Sequence, residues 1–321
     1  MRVRPALGVF GDEKAMLAVV GTVPDDNFPL LEGRAEFCTS GLRVQGKDIE
    51  VNRGTPALLA TTCIMLQILN QDPPYAFLAG DTGLGHGSLR LYKHLEQHLA
   101  EHVLGTLVFH YLQPDVDWHC RVLMAAQNLD SSPTLIADAG FMYAAKMSGQ
   151  SQEYDLFTPD AGELAFLADE KAPHPFYTRG FILSEQNRVP DLIAQAYLHS
   201  NAAKYILVKG KADHVADASG VLATVDSPVS EAMEAIGGTG DLLTGVVSSL
   251  IQSGMKVPAA AELAARISRT AGELSCPTPA SQVLDILPFL SQAWERIGEP
   301  WRRRTDELSD HAGYDYPGCS V

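Results

Sequence analysis

The sequence predicts an α/β protein in which a mainly parallel sheet lies between two layers of helices, three layers in all. Two observations carry this. Short apolar runs such as "YAFLAG", "GTLVFHYL" and "KYILVKG" are nearly continuous rather than alternating, as strands buried on both faces are. Between them lie longer stretches with helical spacing, so successive strands are joined by βαβ crossovers.

Taken in order, "MLAVVGTV" reads as the first buried strand. "RAEFCTSGLRVQGKDIEVN" shows short alternating runs split at Ser40-Gly41 and Gln45-Gly46. Residues 32–52 are therefore expected to form a small β-hairpin lid or edge. Thr55-Pro56 opens a helix, with Thr55 as N-cap and Pro56 at the first helical position, and "PALLATTCIMLQIL" carries it to Asn70. "YAFLAG" is a strand, and "GDTGLGHGS" is either a tight turn with Ser88 capping the helix "LRLYKHLEQHLAEHV" or a loop facing substrate. "GTLVFHYL" and "PTLIADAG" are strands around the helical "DWHCRVLMAAQ". "YDLFTPDAGELAFLAD" reads as strand, turn and helix, "LIAQAYLHS" as helix, "KYILVKG" as strand and "HVADASGVLATVDSP" as a hairpin. A glycine-rich stretch and two more helices complete one domain over residues 1–297. Residues 298–321 are polar and carry Gly and Pro, which reads as a loosely attached tail, with Arg302–Arg304 as a solvated charge run.

Composition narrows the function. A formal charge of −15 argues against nucleic-acid phosphates and anionic membranes as partners, though backbone N–H groups and a lysine can still hold one small anion. The five cysteines are widely spaced without a CxxC pair, the pattern of reduced thiols in a cytoplasmic protein. "PALGVFG" is broken by Asp12, Glu13 and Lys14 and does not read as a signal peptide. No run approaches the roughly 18 apolar residues of a membrane span. His94, His98 and His102 lie on one helical edge, but no acidic HExxH partner accompanies them, and a solvated edge is the expected reading.

The chemistry concentrates in "EAIGGTGDLLTGVVSSLIQSG". It lacks the Lys of a P-loop, and Gly238-Thr239-Gly240 is not completed to GxGxxG because Leu243 stands at the third glycine position. Apolar residues recur at helical spacing from Leu242, so a helix is expected to begin there with Asp241 in or just before its first turn. Glycines at a helix N-terminus let an anion approach the free N–H groups. A carboxylate in that place is costly unless it works, for example as the base for a hydroxyl attacking a phosphoryl group. An ordinary helix cap is the plainer alternative. Asp138, at the end of a parallel strand, stands where open α/β sheets bind ligands, or else caps a loop. Lys209 could reach a phosphate as a point charge, or sit solvated at a strand end.

"GGTGDLLTGVVSSLIQSG" resembles the GTGD or GAGD signature of the ribokinase-like superfamily, which includes small-molecule kinases and NAD(P)H-hydrate dehydratases. Further segments over residues 17–290 follow in that family's order: "AVVGTVPDD", "NRGTPALLA", "AFLAGDTGLGHGSLRLYKHL", "TPDAGELAFL" and "ILVKG". The resemblance implies a ribokinase-like fold with Asp241 as catalytic base and Gly238, Thr239 and Gly240 as anion hole, joined at the phosphate by Lys209 and Gly210. It implies Glu163, with Asp160, at a magnesium ion, and Asp26, Gly54, Gly83 and Asp138 on the substrate side. ATP or ADP and Mg2+ are the implied cofactors, and a small molecule the substrate. Where sugar kinases carry a second glycine and a nearby Asn, Arg53-Gly54 leads here to Leu58 and Leu59. Asp160 replaces the Asn of kinases and the His of dehydratases. The N-terminal half thus resembles sugar kinases and the C-terminal half the dehydratases. Phosphoryl transfer to a small-molecule hydroxyl is the expected activity; the alternatives are hydrate dehydration and a regulatory protein that binds nucleotide without catalysis. Exposed hairpin edges offer a route to a homodimer.

Overall fold

The computed structural model describes residues 14–38, 41–171 and 189–301. Eleven strands form one sheet in the order β11-β10-β9-β8-β7-β6-β1-β5-β2-β3-β4. β1 (Met16–Val23), β5 (Tyr75–Gly80), β6 (Leu104–His110), β7 (Thr134–Ala137), β8 (Leu156–Phe157) and β9 (Tyr205–Val208) are parallel. Antiparallel strands β10 (Asp213–Asp217) and β11 (Gly220–Val225) close one edge. At the other edge β2 (Leu31–Cys38) pairs antiparallel with β5 and is followed by β3 (Gly41–Val44) and β4 (Lys47–Ile49). The hairpins expected over 32–52 are therefore present and extend the main sheet. Ala35, Leu42, Val44 and Ile49 are buried in the same core as α1 (Thr55–Ile68).

β1 shows why the strand sequences are apolar throughout. Leu17 and Val19 enter one core, Ala18 and Val20 the other, and all four are buried. The first core is covered by α1, α7 (Thr239–Gln252), α8 (Val257–Ser275), α9 (Val283–Ile286) and α10 (Leu290–Ala293). The second is covered by α2 (His86–His98), α3 (Val116–Gln127), α4 (Gly140–Met147), α5 (Ala161–Ala168) and α6 (Val189–Leu198). Helical backbone continues past α10 through Trp301, whose ring packs on the first core. Arg302–Arg304 and the rest of the expected tail lie outside the described residues.

Two caps differ from expectation. Gly54, at φ 70°, is the N-cap of α1, so Thr55 and Pro56 are the first two helical residues and the Thr55 hydroxyl is free for another partner. Ser88 lies inside α2, whose N-cap is Gly85. Asp81 gathers that turn instead, accepting from the N–H groups of Gly83, Gly85 and Ser88 and from the Ser88 hydroxyl. The expected solvated histidine edge is instead in contact with the protein: His94 Nε2 lies 2.6 Å from Glu32, His98 Nδ1 2.9 Å from Glu101, and His102, past the end of α2, packs against the Tyr75 and Phe77 rings. Cys63, Cys120 and Cys276 are free thiols, and Cys319 lies outside the described residues. Among the described residues no helix is long and apolar enough to cross a membrane.

α1 and α7 cross at Gly245, where a Cβ would lie 2.8 Å from the Leu58 carbonyl and from Thr61 Cβ. Their N-termini also meet, the Gly54 N–H at the start of α1 donating to Asp241 in the first turn of α7. Gly245→Ala should cost about 1–3 kcal/mol by forcing the helices apart, measured by urea denaturation. An unchanged midpoint would show that the crossing tolerates a methyl group.

Candidate active site

The chain moves outward from β1 in both directions, to β5 on one side and to β6 through β9 on the other. Open α/β sheets bind ligands at the carboxyl ends of strands where the order reverses in this way. β6 ends there in His110, β7 is followed by Asp138, β8 by Thr158 and β9 by Lys209.

α7 begins at Thr239 rather than near Leu242. Gly238 is its N-cap in the left-handed region, at φ 96°, which only glycine adopts without strain. Asp241 is thereby the third helical residue. The N–H groups of Thr239, Gly240 and Asp241 have no carbonyl four residues back within the helix and face outward from its positive end.

Asp241 is 8% exposed, and both carboxylate oxygens are engaged. Oδ2 accepts the Gly54 N–H at 2.6 Å, and Oδ1 lies 3.0 Å from His110 Nε2. Burial alone would raise this carboxyl. The His110 hydrogen bond, Lys209 and the Gly54 N–H outweigh burial and hold it below the ordinary aspartate value. Asp241 is therefore a carboxylate at neutral pH.

Asp138, expected on the substrate side, is 1% exposed and saturated. Lys209 Nζ donates to its two oxygens at 2.9 and 3.0 Å, Thr244 Oγ1 donates to Oδ2 at 2.6 Å, and the Ala139 N–H donates to Oδ1. Its place is to hold Lys209. The Lys209 tail passes beside Gly240, 3.5–3.7 Å from where a Cβ would stand, so its ammonium lies by the first turn of α7. Burial would lower that ammonium, but Asp138, Glu163 and Asp241 together keep it above the ordinary lysine value. His110, Asp138 and Asp241 place ligand atoms within 4.8 Å of one another, a spacing open to a metal ion. The Lys209 ammonium already supplies the cation there.

Asp160 and Glu163 form a capping box on α5, each side chain accepting the other's N–H at 2.8 Å. Tyr143 donates its hydroxyl to Glu163 Oε1. Burial raises the Glu163 carboxyl, Lys209 opposes this, and Asp160 and Asp138 add to it. The box adjoins Lys209 directly, because the Lys209 N–H donates to the Pro159 carbonyl. Gly210, expected in the anion hole, has its N–H committed to Asp213, which Arg269 pins at 2.7 Å.

Asp26 and Gly83 lie at the neighbouring ends of β1 and β5. Asp26 Oδ1 accepts from the Thr82 hydroxyl at 2.7 Å and lines a cavity of about 510 Å³ with Arg90 and His86. Gly83, whose N–H goes to Asp81, lines another of about 340 Å³ with Tyr92 and Gln113. Sequence reasoning passed over His110 and Tyr111. Tyr111 has φ 49° and is half exposed, its ring edge-on to His110 at 4.4 Å. A histidine ending an otherwise apolar parallel strand was the available signal.

Comparison with known proteins agrees with this architecture. The profile of the family described as NAD(P)H-hydrate dehydratase matches residues 113–287. An uncharacterized protein of Methanocaldococcus jannaschii, MJ1337, is 38% identical over 231 residues, covering 72% of this chain and 95% of its own. Among solved structures, a phosphofructokinase-2 mutant from Escherichia coli superposes with TM-score 0.52 at 15% identity, covering 86% of this chain and 99% of its own. Pyridoxal kinase from Entamoeba histolytica gives TM-score 0.51 at 14% identity, covering 86% and 95%. These structures share the ribokinase-like fold with the present chain. With the family profile spanning the strand ends that carry Asp138 and Lys209 and the start of α7 that carries Asp241, the chain belongs to the NAD(P)H-hydrate dehydratase family of ribokinase-like proteins.

Proposed function

We propose that the protein transfers a phosphoryl group from ATP or ADP to a hydroxyl of a small molecule, with Asp241 as general base. The observation that carries this reading is the placement of an ionised Asp241 in the first turn of α7, next to open N–H groups and Lys209. The helix end attracts the transferring phosphate, and Lys209 adds one positive charge. The carboxylate draws the proton from the incoming hydroxyl as the new O–P bond forms and the bond from the transferred phosphorus to the nucleotide's bridging oxygen breaks, releasing ADP from ATP or AMP from ADP.

Magnesium fits the oxygen-rich acidic set. Asp160 and Glu163 offer hard oxygen ligands beside Lys209, whose N–H donates to the neighbouring Pro159 carbonyl. These two residues would hold the ion, which neutralises phosphate charge when bound. Asp26 and Gly83 then fall on the acceptor side, lining the cavities at the ends of β1 and β5.

The family match favours a second reading, dehydration of hydrated NAD(P)H. Phosphorylation turns a hydroxyl into a good leaving group, so the same base and anion cradle serve its first step. Incubation of the protein with ATP or ADP and either candidate alcohols or hydrated NADH tests both. A stable phosphate monoester identifies a kinase, and free phosphate with restored NADH identifies a dehydratase. Turnover of neither class refutes the proposed activity. Gly240→Val, which crowds the cradle and the Lys209 tail, should weaken nucleotide binding at least about tenfold by calorimetry while the fold is kept. Unaltered affinity would move the phosphate site elsewhere.

A further inference from the structure

We propose that His110 is a positioning residue which, through its Nε2–H, holds Asp241 ionised and aimed at the acceptor. The inference rests on the reading of Asp241 as base. His110 is fully buried and meets three groups from three elements. Its Nε2 lies 3.0 Å from Asp241 on α7 and 3.7 Å from Asp138 after β7, and its Nδ1 lies 3.0 Å from the Thr55 hydroxyl on α1. Lys209 reaches it only through Asp138, and the Tyr111 ring covers its edge.

Chemistry assigns the protons. An ionised carboxylate only accepts, so Nε2 carries the hydrogen toward Asp241. In the neutral imidazole Nδ1 is then the acceptor, and the Thr55 hydroxyl donates to it. The displaced capping role of Thr55 follows from this: its hydroxyl serves the histidine instead of the helix. Gly21 leaves the room, since a Cβ there would lie 2.4 Å from Thr55 Oγ1 and 2.5 Å from the His110 carbonyl.

The arrangement answers an electrostatic problem. Asp138 and Asp241 approach the same nitrogen from two sides, and buried carboxylates so close raise one another's proton affinity. Lys209 is spent largely on Asp138. The imidazole N–H between them leaves Asp241 free to stay charged. Together with the Gly54 N–H it also fixes the plane of the carboxylate.

The test needs no substrate. The carboxyl carbon of Asp241, assigned with Asp241→Asn, is titrated by NMR in the parent protein, His110→Ala, His110→Gln and Thr55→Val. The expected result is an upward move of about one pH unit or more in His110→Ala, a smaller one in Thr55→Val, and partial recovery in His110→Gln, whose amide can still donate. In the turnover assay His110→Ala should lose about 10- to 100-fold in kcat with nucleotide affinity unchanged, and His110→Gln should regain part. An Asp241 titration that stays put in both folded His110 variants overturns the proposal. If that titration moves but turnover survives Asp241→Asn, the tether stands and the reading of Asp241 as base falls.

Discussion

Asp241→Asn is expected to lower turnover by about 10²–10⁴-fold, equal to roughly 3–5 kcal/mol of barrier, while nucleotide affinity holds or improves. The amide has nearly the shape of the carboxylate, and its oxygen can still accept the Gly54 N–H that Oδ2 now takes. Its NH2 group can donate to His110 if the imidazole changes tautomer and turns its own N–H to Thr55. The helix start is thus retained. What goes is the ability to take a proton, along with a negative charge near the bound phosphates. The sign of the pH dependence follows from the lowered Asp241 carboxyl. Activity that needs the ionised form is present above the folded pKa and lost as pH falls through it, so Asp241 imposes no acid limb near neutrality. Parent-like turnover in the variant would reduce Asp241 to a residue that ties α7 to α1.

Lys209→Met carries the second large effect, and it falls on stability. The lysine side chain is 13% exposed and Asp138 1%, so the pair is shielded from solvent. Removing one partner of such a pair costs about 3–5 kcal/mol, because the other charge is left buried. Thr244 and the Ala139 N–H still solvate Asp138 in part, which places the expected loss near the lower end, about 3 kcal/mol. Adding Asp138→Asn should restore most of it, since the stranded charge is then gone. Urea denaturation of both singles and the double variant closes the cycle. If the double variant is as unstable as the single, the loss comes from the packing of the lysine stem and not from the charge.

The parallel strands were legible because each is apolar on both faces, and α7 because its glycines and its apolar spacing coincide. α4 was missed. "GFMYAAKM" follows so closely on "PTLIADAG" that no separate start signal precedes it, and its N-cap, Ala139, sits at φ 50° without a capping side chain. Asp241 and Lys209 could be picked out because each stands next to glycine at the end of an element. The pairing of Asp138 with Lys209 could not, since a carboxylate at a strand end reads alike whether it faces ligand or a lysine 71 residues away. Thr55 failed for a related reason. Thr-Pro is a sound local cap, and the contact that claims its hydroxyl comes from a strand 55 residues later. Local chemistry identifies the candidates, and long-range pairing decides what each one does.

The grip on Asp241 has a consequence for the order in which the chain becomes competent. Gly54, Thr55 and His110 all precede the span shared with the family profile, whereas their carboxylate arrives 187 residues after Gly54 and 131 after His110. A chain emerging from the ribosome can pair β1, β5 and β6 early, because those strands are complete by residue 110. Until α7 has been made, the Gly54 N–H has no carboxylate to receive it and the buried imidazole has only the Asp138 carboxylate, 3.7 Å away. With Asp241 as the proposed base, chemistry is withheld from every chain that stops short of α7 and begins only when that helix docks against α1.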